Sequence, residues 1–116
     1  MNDSELKKRT KQLALRVMKL VGALPKDAVG RPIGSQLIRS ATSVGANDRA
    51  ACRGRSRAEF VSKLSIVIEE ADECCYWLER IMEGDLLLKE KVEALLDEAN
   101  QITAIMVASR KTAKGE

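Results

Sequence analysis

The sequence predicts an all-α fold, a single bundle of four helices, and three observations carry that prediction. Apolar residues recur at intervals of three and four along four stretches, which is the period of one helix face. Gly, Pro and Ser punctuate the pattern at three places, at Pro25–Gly34, around Gly54-Arg55-Ser56 and at Gly84-Asp85. One Phe, one Trp and one Tyr in 116 residues leave the core to Leu, Ile, Val and Ala, as helix bundles often do. A chain of this length forms one domain, residues 1–116, around one core.

The first helix is expected from Asp3 or Ser4 to about Leu24. Leu6, Leu13, Val17, Leu20, Val21 and Leu24 form its stripe, with Thr10 in the gap. Lys7, Lys8, Arg9, Lys11, Arg16 and Lys19 occupy its other faces. Such a run is either a solvated surface or a track for phosphates, each neutralised phosphate adding salt-dependent affinity. Pro25, Gly30, Pro32 and Gly34 then break the period, and Pro32 suits a first helical turn. The GRPIGSQ stretch lacks the G-x-x-x-x-G-K-[ST] pattern and follows no strand, so it is no phosphate-binding loop.

The second helix is expected from Pro32 or Ser35 to Arg53. It is rich in small residues, Ser40, Ala41, Ser43, Gly45, Ala46, Ala50 and Ala51, which let a neighbouring helix approach closely. Leu37, Ala41, Val44 and Ala51 share one face; Arg39, Arg49 and Arg53 fall within about 80° on the other side. Arginine presents a planar fork to phosphate or carboxylate. That stripe therefore either meets a phosphate ligand or answers Glu59, Glu69, Glu70 and Glu73 of the next helix. Asp48 falls in phase with Leu37 and Val44, and a buried carboxylate needs a cation, a polar partner or water.

The corner that follows is sharply marked. Gly54 can take the left-handed conformation that ends a helix, and Ser56 with Glu59 forms an S-x-x-E capping box. The third helix, Arg57 to about Met82, carries Phe60, Leu64, Val67, Ala71, Cys74, Leu78 and Ile81 on one face. Ile66 and Trp77 lie about 20° apart and off that face, with Glu70 and Glu73 between them along the helix. An exposed tryptophan suits an interface between subunits, so Ile66, Glu70, Glu73 and Trp77 are candidate oligomer contacts. The fourth helix is expected from about Leu87 to Lys111. Its stripe is Leu88, Val92, Leu95, Ala99, Ile102 and Met106, its acids come early, and Arg110, Lys111 and Lys114 lie near its end.

The middle of the chain resembles a known family. Gln36-Leu37-Ile38-Arg39-Ser40-Ala41, Ser43-Val44-Gly45-Ala46-Asn47, Arg53, Arg55, Ser56, Glu59-Phe60, Leu64 and Glu69-Glu70-Ala71 stand at matching spacings. They resemble the four-helix-bundle proteins first known from intervening sequences of 23S ribosomal RNA genes. Ala108-Ser109-Arg110-Lys111-Thr112 resembles that family's final helix. The resemblance implies an up-and-down antiparallel bundle that assembles as a homo-oligomer, commonly a pentamer. A related branch, the accessory protein of diversity-generating retroelements, binds nucleic acid and a reverse transcriptase. Arg49-Ala50-Ala51 departs from the Ala-Glu-Gly common in other branches.

The remaining sequence features exclude several function classes. No histidine is present, and Cys52, Cys74 and Cys75 are spaced for neither a zinc site nor a disulfide framework. No nucleophile–base pair is evident, so neither an enzyme nor a cofactor-binding protein is expected. The N-terminus lacks a secretory signal and no stretch approaches the roughly 20 apolar residues of a membrane span, so the expectation is cytoplasmic. Residues 1–57 hold 13 Lys/Arg against 4 Asp/Glu, a net +9; the remainder is −6. The expected function is a non-catalytic oligomeric adaptor that binds RNA or DNA, with a reverse transcriptase as an implied partner. Lys7, Lys8, Lys11, Arg16, Arg39, Arg49, Arg53, Arg55 and Arg57 are the candidate contacts. The alternative is a structural or protein-interaction oligomer whose charges neutralise one another.

Overall fold

The computed structural model describes residues 2–116, which form helices α1 (Asp3–Gly22), α2 (Gly30–Cys52), α3 (Arg57–Glu83) and α4 (Lys89–Ala113). Asn2 caps α1: its side chain accepts from the Glu5 N–H at 2.9 Å. The helix closes at Gly22, where the Ala23 and Leu24 N–H groups turn back onto Leu20 and Val21, and Leu24 folds into the core.

Helix α2 begins at Gly30, earlier than Pro32 or Ser35. The Asp27 carboxylate accepts from the Val29 and Gly30 N–H groups at 3.0 and 2.8 Å, organising the turn before the helix. Those two bonds hold the Asp27 carboxyl below its ordinary range. Pro32 then stands third in the helix, where its missing N–H has no intrahelical partner to lose. Close packing explains both glycines here. A Cβ on Gly30 would lie 1.9 Å from the Pro25 carbonyl oxygen, and one on Gly34 would lie 2.9 Å from Val21 Cγ1.

The α2–α3 corner carries the Ser56 half of the expected capping box, Ser56 Oγ accepting from the Glu59 N–H at 3.1 Å, while Glu59 reaches one residue further back and accepts from the Arg55 N–H, also at 3.1 Å. Gly54 does not take the left-handed conformation. Its N–H donates to Ala51 at 3.0 Å, and a Cβ there would stand 3.1 Å from that same oxygen, so tight approach rather than handedness calls for glycine. Between helices the left-handed residue is Asp85 (φ 54°), after α3, and the Leu86 N–H then reaches Ile81 O at 3.0 Å. Leu88 also departs from expectation. It is the extended N-cap of α4, outside the helical phase, and is 64% exposed.

Each helix packs closely against two others, in the cyclic order α1–α2–α3–α4, and among the described residues the backbones of neither diagonal pair come within 8 Å, Cα to Cα. The body measures 44 × 21 × 21 Å, close to the roughly 40 Å that α3 spans at about 1.5 Å per residue. Helices of these lengths joined by short turns must run antiparallel, up and down along the long axis. Leu13, Val17, Leu37, Val44, Leu64, Leu78, Ile102 and Met106 fill the centre. The α1–α4 seam, which closes the bundle, is held by Arg9 and Glu98 in a two-pronged pair at 2.9 and 2.5 Å. Among the described residues no helix is long and apolar enough to cross a membrane.

Candidate nucleic-acid interface

Small residues on α2 set the geometry of the α1–α2 seam. Gly45 lies against Thr10, where an added Cβ would stand 3.5 Å from the Thr10 hydroxyl oxygen. Thr10 is itself buried and returns its hydroxyl to the Lys7 carbonyl at 3.0 Å. Beside this contact runs a groove of about 410 Å³ with Ala14, Thr42, Gly45 and Ala46 along its floor. Lys7, Lys11 and Arg49 line it. All three are exposed, and none forms an ion pair among the described residues. Lys7 and Lys11 are one helical turn apart, about 6 Å, so they offer successive cations along one wall.

Antiparallel topology adds to this set. The start of α1, the end of α2, the start of α3 and the end of α4 all lie at one end of the bundle. Lys7 and Lys8, Arg49 and Arg53, Arg55 and Arg57, and Arg110 and Lys111 therefore gather there. Arg53 is the α2 C-cap, Arg55 sits in the corner, Arg57 opens α3, and all three are exposed. On the sequence alone, dipole complementarity accounts for Arg110 and Lys111 without a ligand. Only the direction of α4 brings them to the same end.

Two candidates separate from this surface. Arg16 lies on the other side of α1, in a groove shared with α4. Arg39 is engaged by α3: it donates to Glu70 at 3.0 Å and forms a short bond with Glu73. These carboxylates raise the Arg39 pKa, and Arg39 in turn lowers that of Glu73. Arg39 is thus paired across the α2–α3 seam. Within the arginine stripe, Arg39 is ion-paired, whereas Arg49 and Arg53 form no ion pair among the described residues.

The same bonds engage three of the four residues expected at an oligomer contact. Glu70 and Glu73 face Arg39 within the chain, and Trp77 is half-buried against the core with its indole N–H on Glu73 at 3.2 Å. The aromatic residue that stands out is Tyr76, 48% exposed, its ring edge-on to Trp77 and covered by Arg80 at 4.7 Å. Ile66 remains exposed.

Asp48 forms no ion pair among the described residues. It is 3% exposed and its Oδ2 has no hydrogen bond. Burial raises its pKa and the charge of Asp3 adds to the shift, against the opposing charge of Lys7. Phase placed Asp48 on the core side, but no partner could be read from it. Burial likewise raises all three thiols, that of Cys74 to about 12, so they fit packing rather than nucleophilic chemistry. Among the described residues no three His, Cys, Asp or Glu side chains come together as metal ligands would.

Comparison with known proteins bears on both fold and family. Residues 2–108 match the family described as 23S rRNA-intervening sequence protein. A solved structure from Bacteroides thetaiotaomicron, a protein with unknown function from the S23 ribosomal protein family, superposes with a TM-score of 0.84. That alignment has 32% sequence identity and covers 91% of this chain and 98% of that one. No curated protein matches the sequence.

Proposed function

From the premise that this chain belongs to the 23S rRNA-intervening sequence protein family, we propose that it is a non-catalytic, self-associating adaptor that holds nucleic acid by its phosphates. The observation that carries the reading is the α1–α2 groove, in which Lys7, Lys11 and Arg49 converge over a floor of small residues without carboxylate partners. Cations at such spacing bind a phosphate backbone through counterion release. The groove has no aromatic side chain to stack on a base, so contact is sequence-neutral. Self-association would repeat the surface and add weak contacts through multivalency. A nucleoprotein partner such as a reverse transcriptase is part of the proposal on the family resemblance alone.

The test is a titration of purified protein with short RNA and DNA across a salt series. Affinity should fall linearly on logarithmic axes. Replacing Lys7, Lys11 and Arg49 with Gln should flatten that slope by about 2–3, at roughly 0.7–0.9 per phosphate contact. Arg39→Gln should leave the slope unchanged while loosening α2 from α3. Absence of binding at low salt would overturn the proposal.

A further inference from the structure

The halves of the chain differ in charge, and the bundle turns that difference into two faces that the phosphate site does not use. One is a groove of about 580 Å³ between α1 and α4, with an apolar lining of Leu20, Leu87, Leu88 and Leu95. Its rim carries Arg16, Lys19 and Lys91, none of which forms an ion pair among the described residues. The other is the outer face of α3. There Glu69, Asp72, Tyr76 and Glu79 follow one another at intervals of three and four, with Ile66 at the head of the row. Glu69, Asp72 and Glu79 likewise have no cation partner among the described residues. Arg80 borders the row but is engaged by Tyr76 and Glu83.

The two faces correspond in charge and in apolar content. Three unpaired cations flank one, and three unpaired carboxylates line the other. Leucines lie in the groove, and Ile66 and Tyr76 project from the stripe. From Ile66 to Glu79 the stripe runs about 20 Å, and the groove follows α4 for about 9 Å from Lys89 to Leu95, both at about 1.5 Å per residue, so the middle of the stripe is the part the groove can receive. Leu88 is the sharpest sign of an absent occupant. A leucine at an N-cap forgoes about 1 kcal/mol of capping, and here the side chain is left in solvent. Because α1 and α3 are the diagonal pair, the α3 stripe cannot reach the groove of its own chain.

We infer that the occupant of the α1–α4 groove is a second copy of this chain, which inserts the acidic outer face of its α3. The inference rests on the proposed self-association and names its surfaces. Each copy offers one groove and one stripe on different faces, so the contact is head-to-tail and closes into a ring or propagates. The contacts are Ile66, Glu69, Asp72, Tyr76 and Glu79 of one copy, not the Glu70, Glu73 and Trp77 that Arg39 and the core already occupy.

Charge exchange tests it. Arg16→Glu/Lys19→Glu/Lys91→Glu and Glu69→Lys/Asp72→Lys/Glu79→Lys each place like charges in apposition. Both should elute as single 12.8 kDa chains with undiminished helical circular dichroism. Combining all six restores complementarity in reverse, and the six-fold variant should assemble as the wild type does. Leu88→Ser supplies a control that does not depend on charge: it should stabilise the isolated chain as a better N-cap while weakening assembly at least tenfold. Triple variants that remain assembled, or a six-fold variant that remains monomeric, would overturn the interface and leave self-association standing. A monomeric wild type would overturn both, and nucleic-acid binding is read separately from either.

Discussion

The Arg9 guanidinium and the Glu98 carboxylate meet in a parallel, two-pronged pair across the α1–α4 seam, joining residues 89 positions apart. Arg9 also donates to Gln101 at 3.1 Å. Both side chains are partly shielded, at 25% and 19% exposure, so neither is easily satisfied by water once its partner is gone. Glu98→Gln should lower stability by about 1–2 kcal/mol. The Arg9→Met/Glu98→Met pair should cost less than the sum of its single changes, because the second removal relieves the orphaned charge left by the first. Urea denaturation of the four proteins closes the cycle.

Asp48 gives the protein an unusual dependence on pH. Its carboxyl binds a proton more tightly in the native state than in the unfolded chain, since burial and Asp3 outweigh Lys7. The native state therefore holds its advantage below the ordinary carboxylate value of about 3.9, and loses it as pH rises through the raised native value. Asp48→Asn should be more stable than the wild type near neutrality by about 1 kcal/mol and should remove this part of the pH slope. Denaturation midpoints at acidic and neutral pH measure both effects.

Two glycines should respond to alanine in opposite ways. Gly30→Ala drives a Cβ into the Pro25 carbonyl, which as backbone cannot swing aside, and should cost about 3 kcal/mol or more. Gly22→Ala meets nothing within 4 Å at the end of α1 and should gain about 0.5–1 kcal/mol. Thermal melts of the two variants should move in opposite directions.

The thiols should react in two classes. Cys52 is half-buried, whereas Cys74 and Cys75 are buried, and the Cys74 thiol is raised to about 12. A thiol-specific reagent near pH 8 should titrate one cysteine in the folded protein and the other two only in denaturant. The nearby Asp48 charge also raises the Cys52 thiol, so Asp48→Asn should speed the first reaction.

Most of the fold was legible because it depends on local periodicity. Leu13 and Val17, Leu37 and Val44, Leu64 and Leu78, and Ile102 and Met106 all face inward as their spacing requires. Leu88 broke the pattern because it lies one residue before the helix begins, where phase no longer applies. Arg39 could be read two ways from sequence, since the distance to Glu70 and Glu73 depends on how α2 crosses α3. Trp77 lies further in than its helical phase suggests, because a large ring off the central stripe can still fold back onto the core. The pair Arg9 and Glu98, and the gathering of Arg110 and Lys111 beside Lys7 and Lys8, follow from chain direction and could not come from any one helix.

The cyclic order of the helices also has a consequence in time. Three of the four seams join helices that are consecutive in the chain, and α1 with α4 is the exception. Local contacts form quickly, whereas closing a long loop carries an entropy cost before any contact repays it. The hairpins α1–α2, α2–α3 and α3–α4 should thus assemble first, and the first helix should meet the last after the rate-limiting step. Weakening that last seam would then leave the folding rate nearly unchanged and appear almost wholly as faster unfolding. The residues that latch the bundle set how long it stays closed, and the small-residue seams set how soon it forms.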